Sequence, residues 1–241
     1  VVAVYSSFLQ RAYDQIIHDV GLQKLPVVFA VDRAGLVGSD GETHQGIFDL
    51  SFLSSIPNMT VMSPKHKWEL ADMLRFALKS DGPVAIRYPR GAAYDQYVEY
   101  RAPIEYGKSE MICEESGIAL ISMGHMFEEA VKVRKNLKDA GYFCTLVNGR
   151  FVKPIDEECI ARLAKNHKLI AVLEENVITG GYGMQVLECA ARKQLSCHVL
   201  PIALPDNYVE HGSVEVLRKE TGIDAQSVTE KIMETYKELQ I

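Results

Sequence analysis

The sequence has few cysteines, no long apolar run and no excess of basic residues, and each absence excludes a class of protein. Its five cysteines are widely spaced over 241 residues and form no Cys-x-x-Cys pair, which argues against a disulfide framework or a zinc site. No apolar run approaches the roughly 20 residues of a membrane-spanning helix, and no signal-peptide pattern opens the chain. With 32 acidic and 26 basic residues, the net charge of −6 argues against a nucleic-acid partner. We therefore expect a cytoplasmic protein with no membrane or nucleic-acid partner.

Short apolar runs alternate with helix-period segments along the whole chain. Val1–Tyr5, Pro26–Val31 and Val84–Tyr88 are rich in branched apolar residues, as buried strands are. Phe8–Val20 and Lys67–Lys79 instead carry apolar residues along one helical stripe. Continuous apolar strands that alternate with helices are typical of parallel sheets covered on both faces. The sequence therefore predicts an α/β protein with largely parallel sheets flanked by helices.

The alternation is interrupted once, which predicts two domains. A stretch rich in tyrosine, proline and charge separates two runs of strands and helices. We expect a first domain over 1–92, a linker over 93–108 and a second domain over 109–241. The first domain is short and opens on an apolar run without a methionine, so we expect it to be incomplete at its start.

A polar, glycine-rich loop follows the second predicted strand. Asp32–Gly46 reads D-R-A-G-L-V-G-S-D-G-E-T-H-Q-G and so combines a guanidinium, carboxylates and an imidazole among four glycines. Loops at the carboxyl ends of parallel strands are where open α/β sheets bind ligands. Arginine matches a phosphate or carboxylate, and histidine transfers protons near neutral pH. The loop is a candidate site, with a solvated surface loop as the alternative.

Other candidate groups lie near predicted element ends. Arg90 comes just after the predicted strand Val84–Tyr88, on the same sheet edge as Arg33, and could complete an anion site with Arg33. The alternative is that Arg87 and Arg90 pair with surface acids. Phe8 either packs in the core or offers a face for a planar ring. The run G-G-Y-G at 180–183 lacks the pattern of a phosphate loop and predicts a helix start.

Several blocks together resemble one enzyme family. They are Y-S-S-F-L-Q-R-A-Y-D-Q at 5–15, D-R-A-G-L-V-G-S-D-G-E-T-H-Q-G at 32–46, F-D-L-S-F-L at 48–53, I-P-N-M at 56–59, R-Y-P-R-G at 87–91 and F-V-K-P-I-D at 151–156. The combination resembles 1-deoxy-D-xylulose-5-phosphate synthase, a thiamine-diphosphate enzyme of the transketolase superfamily. The likeness extends over essentially the whole chain. It implies an incomplete pyrimidine-binding domain followed by the superfamily's C-terminal domain.

The resemblance implies a reaction and its partners. Pyruvate and D-glyceraldehyde 3-phosphate would condense with loss of carbon dioxide, and 1-deoxy-D-xylulose 5-phosphate would form for isoprenoid, thiamine and pyridoxal synthesis. The cofactors would be thiamine diphosphate, which supplies the carbanion chemistry, and Mg²⁺. The enzyme would be a homodimer.

The resemblance also implies roles for individual residues. Tyr5, Asp40 and His44 would face the reacting carbons. His44 would be the proton shuttle, with Asp40 as its polar partner. Arg33 and Arg90 would bind the phosphate of glyceraldehyde 3-phosphate.

Cofactor binding would be shared between this chain and the amino-terminal part of the enzyme. Phe8 would stack on the aminopyrimidine ring, with Arg11 nearby. The family's G-D-G…N motif for metal and diphosphate and its A-E-Q-H-like segment with the activating glutamate are not found here. We therefore expect no metal site in this chain, which would be a carboxyl-terminal fragment, inactive alone, that needs the amino-terminal part of the enzyme.

Two other functions remain open at this point. The β subunit of a 2-oxoacid dehydrogenase has the same domain order, but it is not expected to combine the loop motif with R-Y-P-R-G. A non-catalytic, transketolase-like dimerisation module would explain the missing glutamate. It would not explain why Arg33, Asp40, His44 and Arg90 are all present.

Overall fold

Ten strands form two sheets in the computed structural model, which describes residues 1–92 and 94–239. The first residue of the predicted linker and the last two of the predicted second domain lie outside the described residues. The strands are β1 Val2–Tyr5, β2 Val28–Asp32, β3 Thr60–Met62, β4 Val84–Arg87, β5 Glu110–Cys113, β6 Gly117–Ser122, β7 Cys144–Asn148, β8 Phe151–Lys153, β9 His167–Val177 and β10 His198–Leu204.

The α-helices lie between these strands and after the last one. They are α1 Ser6–Leu9, α2 Tyr13–Gln15, α3 Asp49–Ser54, α4 Lys67–Ala77, α5 Phe127–Asp139, α6 Glu157–Asn166, α7 Tyr182–Arg192, α8 Val214–Glu220 and α9 Ala225–Glu238. Short 3-10 turns occupy Gln10–Ala12 and Gly124–Met126, and Ile16–Gly21 is a π-helical segment.

The two sheets are five-stranded and mostly parallel, as predicted. The first has the order β1-β2-β4-β3-β8 and the second β10-β9-β6-β7-β5. Only the β3–β8 and β5–β7 pairs are antiparallel in the described part of the chain. In the first sheet Val4 pairs with Val31 and Ala30 with Ile86, so β2 and β4 end side by side. The predicted α/β class is confirmed, and the register brings the segments after β2 and β4 to one edge.

The first predicted helix is less regular than its apolar stripe indicates. Instead of one helix over Phe8–Val20, the chain forms α1, a 3-10 turn, α2 and the π-helical segment in succession. Ala12, with φ −101° and ψ 13°, interrupts regular helical geometry. Leu9 and Ile16 are nevertheless buried. The apolar stripe therefore predicts which side chains are buried, but not the irregular helical geometry of the backbone.

Three short elements have no strong sequence signal. They are α3, β5 and β8, with six, four and three residues. Strand β8 lies beyond the predicted linker yet pairs with β3 of the first sheet. Elements of this length depend on tertiary pairing rather than on their own periodicity.

The glycine turn at 180–183 starts a helix, as predicted. The backbone N–H groups of Tyr182 and Gly183 donate to the two carboxylate oxygens of buried Glu174, at 2.8 and 2.7 Å. Burial raises the pKa of Glu174 to about 7, although the two N–H donors act to lower it. The two oxygens of the Glu174 carboxyl group therefore lie at the positive end of α7.

Candidate active site

The loop Asp32–Gly46 is closed on itself at the edge of the first sheet. Gly35 and Gly46 exchange two backbone hydrogen bonds, of 2.7 and 2.8 Å. A side chain at Gly46 would collide with the carbonyl oxygen of Arg33, and its Cβ would lie 2.8 Å from the Cβ of Ser6. Glycine is therefore required where the loop returns against α1 and the end of β2.

Two arginines from different strand ends share one carboxylate in this loop. Nη1 of Arg33, after β2, donates to Oδ2 of Asp40 at 3.1 Å. Nη1 of Arg90, after β4, donates to the same oxygen at 3.1 Å and to the carbonyl of Val37 at 3.3 Å. The guanidinium groups thus converge on one point, where they could also bind an anionic ligand.

The rings of Tyr5, Phe8 and His44 lie beside Arg33 and form an aromatic wall of the candidate site. Nη2 of Arg33 donates to the hydroxyl of Tyr5 at 2.9 Å, and the Arg33 Cζ lies 4.1 Å from the centre of the Tyr5 ring. The ring of Phe8 lies 5.3 Å from that of Tyr5 and 5.5 Å, edge-on, from that of His44. Phe8 is 48% exposed. It is therefore not a core residue, and part of its ring is open to a ligand.

The partners of His44 and Asp40 differ from the predicted pair. Nδ1 of half-buried His44 lies 2.9 Å from Oγ1 of Thr43. The hydrogen bonds of Asp40 in the described residues come from Arg33 and Arg90. Two guanidinium groups offer charge-assisted bonds, which are stronger than a bond to neutral imidazole.

Arg11 is the one predicted site residue that does not join this cluster. It is exposed on the 3-10 turn Gln10–Ala12, and among the described residues no hydrogen bond or ion pair links it to the loop. Its part in cofactor binding stays a prediction. The structure brings together the other six: Tyr5, Phe8, Arg33, Asp40, His44 and Arg90.

A buried glutamate in the second sheet holds the loop, and sequence reasoning missed it. Oε2 of Glu175 accepts the backbone N–H of Leu36 at 2.9 Å and lies 2.6 Å from Nε2 of His125, while Oε1 accepts from Nε of Arg218 at 2.7 Å. Burial alone would raise the pKa of Glu175, but His125 and Arg218 lower it to about 2. The signal in the sequence is the polar run E-E-N, which interrupts an apolar strand.

Arg87 is buried rather than paired with a surface acid. Its side chain is fully buried and its Nε lies 3.0 Å from Oδ1 of equally buried Asp49. Nη2 donates to the carbonyls of Gly46 and Glu175, at 3.4 and 3.2 Å. The alternative of a surface pair was wrong for Arg87, because α3 brings Asp49 beneath the loop.

Comparison with family models matches both halves of the chain. The model described as "Transketolase, pyrimidine binding domain" matches residues 1–95, and "Transketolase, C-terminal domain" matches residues 107–228, half of the chain. The chain belongs to the transketolase family.

Curated relatives of this transketolase-family chain share one name. A 1-deoxy-D-xylulose-5-phosphate synthase of Lachnoclostridium phytofermentans is 52% identical over 96% of the chain and 37% of its own length. Those of Caldanaerobacter subterraneus subsp. tengcongensis and Aquifex aeolicus are 49% and 44% identical over 98% of the chain and 38% of their own lengths. The resemblance seen in the sequence blocks is confirmed. The chain spans a little over a third of the length of these relatives.

Solved transketolases share the fold. A "Split gene transketolase, inactive beta4 tetramer" superposes with a TM-score of 0.90 at 24% identity, over 98% of this chain and 75% of that one. Transketolase from Campylobacter jejuni superposes with a TM-score of 0.77 at 19% identity, over 96% of this chain and 35% of that one. Both likenesses therefore support the transketolase fold.

The described residues contain neither a membrane-spanning helix nor a cluster of metal-ligating side chains. None of their helices is both long and apolar enough to cross a membrane. No three or more His, Cys, Asp or Glu side chains in the same residues are grouped so that they could hold a metal ion.

Proposed function

We propose that this chain is part of a thiamine-diphosphate-dependent transferase that condenses pyruvate with D-glyceraldehyde 3-phosphate, giving 1-deoxy-D-xylulose 5-phosphate and carbon dioxide. The relatives named above support the reaction. The observation that carries the proposal is the convergence of Arg33 and Arg90 on Oδ2 of Asp40 beside Tyr5. That arrangement offers a site for a phosphate next to groups that can transfer protons.

The aromatic wall suits an aminopyrimidine ring. Phe8 is half exposed and lies next to Tyr5 and His44, so its face is available for stacking. Bound thiamine diphosphate would supply the nucleophilic carbon and the electron sink for decarboxylation. Phe8 would hold the ring, with Arg11 nearby. The Mg²⁺ ion stays a prediction.

The two arginines would recognise the phosphate of the acceptor substrate. The Asp40 carboxylate pairs with both guanidinium groups, and its single negative charge leaves one positive charge unbalanced. A phosphate dianion presents more acceptor oxygens and charge than one carboxylate, so it can replace Asp40 as their shared partner. Asp40 would then be released toward the reacting groups.

His44 would transfer the proton. Because Thr43 Oγ1 lies at hydrogen-bond distance from Nδ1, the ring is oriented and Nε2 is left for proton exchange with substrate. The half-buried position next to Phe8 keeps the imidazole close to the proposed cofactor ring.

The test uses a chimera. The chain is joined to the part of the Lachnoclostridium phytofermentans relative that it does not span, and formation of 1-deoxy-D-xylulose 5-phosphate is measured with both cofactors. We expect turnover in the parent chimera, and a loss of about 100-fold or more for His44→Ala. His18→Ala, an exposed histidine outside the site, is the control. No product from the folded chimera would refute the proposed reaction, and full activity in His44→Ala would refute the role given to His44.

A second kinetic measurement tests the phosphate site. In the chimera, Arg33→Lys and Arg90→Lys keep the charge but lose the planar fork. We expect the KM for glyceraldehyde 3-phosphate to rise about tenfold or more, with the KM for pyruvate little changed. An equal rise for both substrates would contradict the assignment. A lipoyl acceptor in place of the aldehyde tests for 2-oxoacid dehydrogenase activity, for which we expect no turnover.

The assembly and location expected from the sequence also stay predictions. We expect the complete enzyme to be a cytoplasmic homodimer. Analytical ultracentrifugation of the chimera would test the oligomeric state.

A further inference from the structure

The side chain of Gln45 is buried between the candidate-site loop and the second predicted domain. Gln45 directly follows His44 in the sequence and is 2% exposed. Its Oε1 accepts the backbone N–H of Val37 at 2.7 Å, and its Nε2 donates to the carbonyl oxygen of Glu210 at 3.0 Å. Val37 lies across the same loop, whereas Glu210 lies in the 205–212 segment that follows β10. One buried amide therefore joins the loop to that segment.

The two partners of Gln45 require a donor and an acceptor at the end of one side chain. The Val37 N–H group can only donate, and the Glu210 carbonyl oxygen can only accept. The amide of glutamine carries one group of each kind, so the partners fix which way it points. An apolar side chain would leave both backbone groups without these bonds, and a carboxylate would place a second acceptor against the Glu210 carbonyl oxygen.

The turn that carries Asp40 and His44 packs against the same 205–212 segment. The backbone N–H of Gly212 donates to the carbonyl oxygen of Gly38 at 3.4 Å. A Cβ at Gly38, whose φ is +80°, would lie 3.0 Å from the carbonyl oxygen of Gly212. Because the two stretches of backbone approach this closely, a displacement of the segment would also move the turn.

The contact with Val37 also reaches the proposed phosphate site. The carbonyl oxygen of Val37 accepts from Nη1 of Arg90 at 3.3 Å, and the same nitrogen donates to Oδ2 of Asp40 at 3.1 Å. The Arg90 side chain is 43% exposed, so its guanidinium group depends on these two bonds for its position. Gln45 therefore holds the residue that supplies one of the two acceptors of Arg90.

We propose that Gln45 is a positioning residue for the proposed reaction, which orients Arg90 and His44 by tying their loop to the 205–212 segment. The inference rests on the proposed function, because it assigns Gln45 a part in that site. Gln45 acts through Arg90, which would bind the phosphate of the acceptor, and through the adjacent His44, which would transfer the proton. Loss of the amide bonds should therefore weaken binding of glyceraldehyde 3-phosphate and slow turnover.

The kinetic test uses two substitutions in the chimera. Gln45→Met fills similar space but removes both bonds, whereas Gln45→Glu, when ionised, keeps the acceptor and loses the donor. At about pH 8 we expect the KM for glyceraldehyde 3-phosphate to rise about tenfold and kcat to fall about tenfold in both, with the KM for pyruvate little changed. Gln15→Met and Gln15→Glu, at an exposed glutamine on α2, are the matched controls.

The split between kcat and KM separates positioning from folding. A purely structural role would lower the amount of active enzyme, and therefore the apparent kcat, and would leave both KM values unchanged. An unchanged KM for glyceraldehyde 3-phosphate in Gln45→Met would overturn the proposal.

The pH profile of Gln45→Glu gives a second readout. A protonated carboxyl group again offers a donor and an acceptor, and burial raises the pKa of a carboxyl group. We expect the ratio of variant to parent kcat/KM for glyceraldehyde 3-phosphate to recover between about pH 8 and about pH 6 in Gln45→Glu and to stay low in Gln45→Met. A reduced ratio that does not recover in Gln45→Glu contradicts the assignment.

Hydrogen exchange of the 241-residue chain tests the positioning without turnover. Gln45→Met should speed exchange about tenfold in peptides from the 33–46 loop and from the 205–212 segment, while peptides from α5 exchange as in the parent. Parent-like exchange in both regions would overturn the proposal. If the parent chimera makes no product, the proposed function fails, whereas faster exchange in both regions still supports Gln45 as the residue that ties the loop to the segment.

Discussion

At the scale of single residues, one buried carboxylate connects the candidate site to the second sheet. The Glu175 carboxylate accepts hydrogen bonds from the backbone N–H of Leu36 and from Nε of Arg218, and it lies 2.6 Å from Nε2 of His125. Removing a partner of a buried charge is strongly destabilising. The conformation of the loop therefore depends on the ionised state of a residue 139 positions away from Leu36.

This dependence predicts a pH effect on stability. The pKa of Glu175 falls from its ordinary 4.5 to about 2 on folding, so its contribution is complete above pH 4.5 and is lost as pH falls toward 2. Glu175→Gln should lower the free energy of unfolding by about 3 kcal/mol at pH 7, and the deficit should shrink below pH 4.5. Urea denaturation at several pH values measures it. Glu234→Gln, exposed on α9, should show no such deficit, and a deficit for Glu175→Gln that is constant down to pH 3 would contradict the assignment.

At the scale of elements, specific hydrogen bonds and an ion pair fix the conformation of the loop between β2 and α3. The bridge between Gly35 and Gly46 closes it, and Arg87 and Asp49 form a buried ion pair beneath it. The loop ends where α3 begins, and α3 contacts β3, β8 and β9. Both sheets therefore support the loop that carries Asp40 and His44.

The closure of the loop can be tested at one glycine. Gly46→Ala places a methyl group against the Arg33 carbonyl and Ser6, and we expect a loss of about 2 kcal/mol of stability. Gly82→Ala is the matched control, because its Cβ would meet nothing nearer than the Asn58 carbonyl at 3.8 Å. Chemical denaturation of both variants gives the comparison. Equal midpoints would show that the loop can move to accept the methyl group.

At the scale of the whole molecule, the two predicted domains, here called the first unit (1–92) and the second unit (109–241), share buried apolar and polar residues. One cluster of buried apolar residues includes Phe29 of the first sheet and Ile121 of the second. Lys65, at 2.6 Å from Glu110, and Arg150, at 2.7 Å from Glu69, form a buried ionic network across the junction. These contacts argue for one cooperative unit rather than two domains on a flexible linker.

Cooperativity can be measured with the single tryptophan. Trp68 lies on α4 and its fluorescence reports the first unit, while far-UV circular dichroism reports the helices of both. We expect the two urea transitions to coincide, as they do for two-state unfolding. A fluorescence transition at lower urea than the dichroism transition would show that the first unit unfolds separately.

Much of the fold could be predicted from local patterns. Apolar runs predicted β1, β2 and β4, and a one-sided stripe predicted α4, because each of these elements carries its own apolar pattern. In contrast, α3 and β8 have too few residues to show one, and strand β8 is stabilised by pairing with β3 of the other unit. Nothing in the sequence of the predicted linker, 93–108, indicates that the chain beyond it returns to pair with the first sheet.

The residues of the candidate site could likewise be predicted only in part. Arg33, Asp40, His44 and Arg90 could be named in advance, because parallel strands end at one edge and a glycine-rich loop follows one of them. The partners could not: Arg87 with Asp49, and Glu175 with the Leu36 N–H, meet only after α3 and β9 have packed against the first sheet. Charge pairing at distances of 3 Å depends on positions of side chains that are far apart in the chain, and no local pattern encodes those positions.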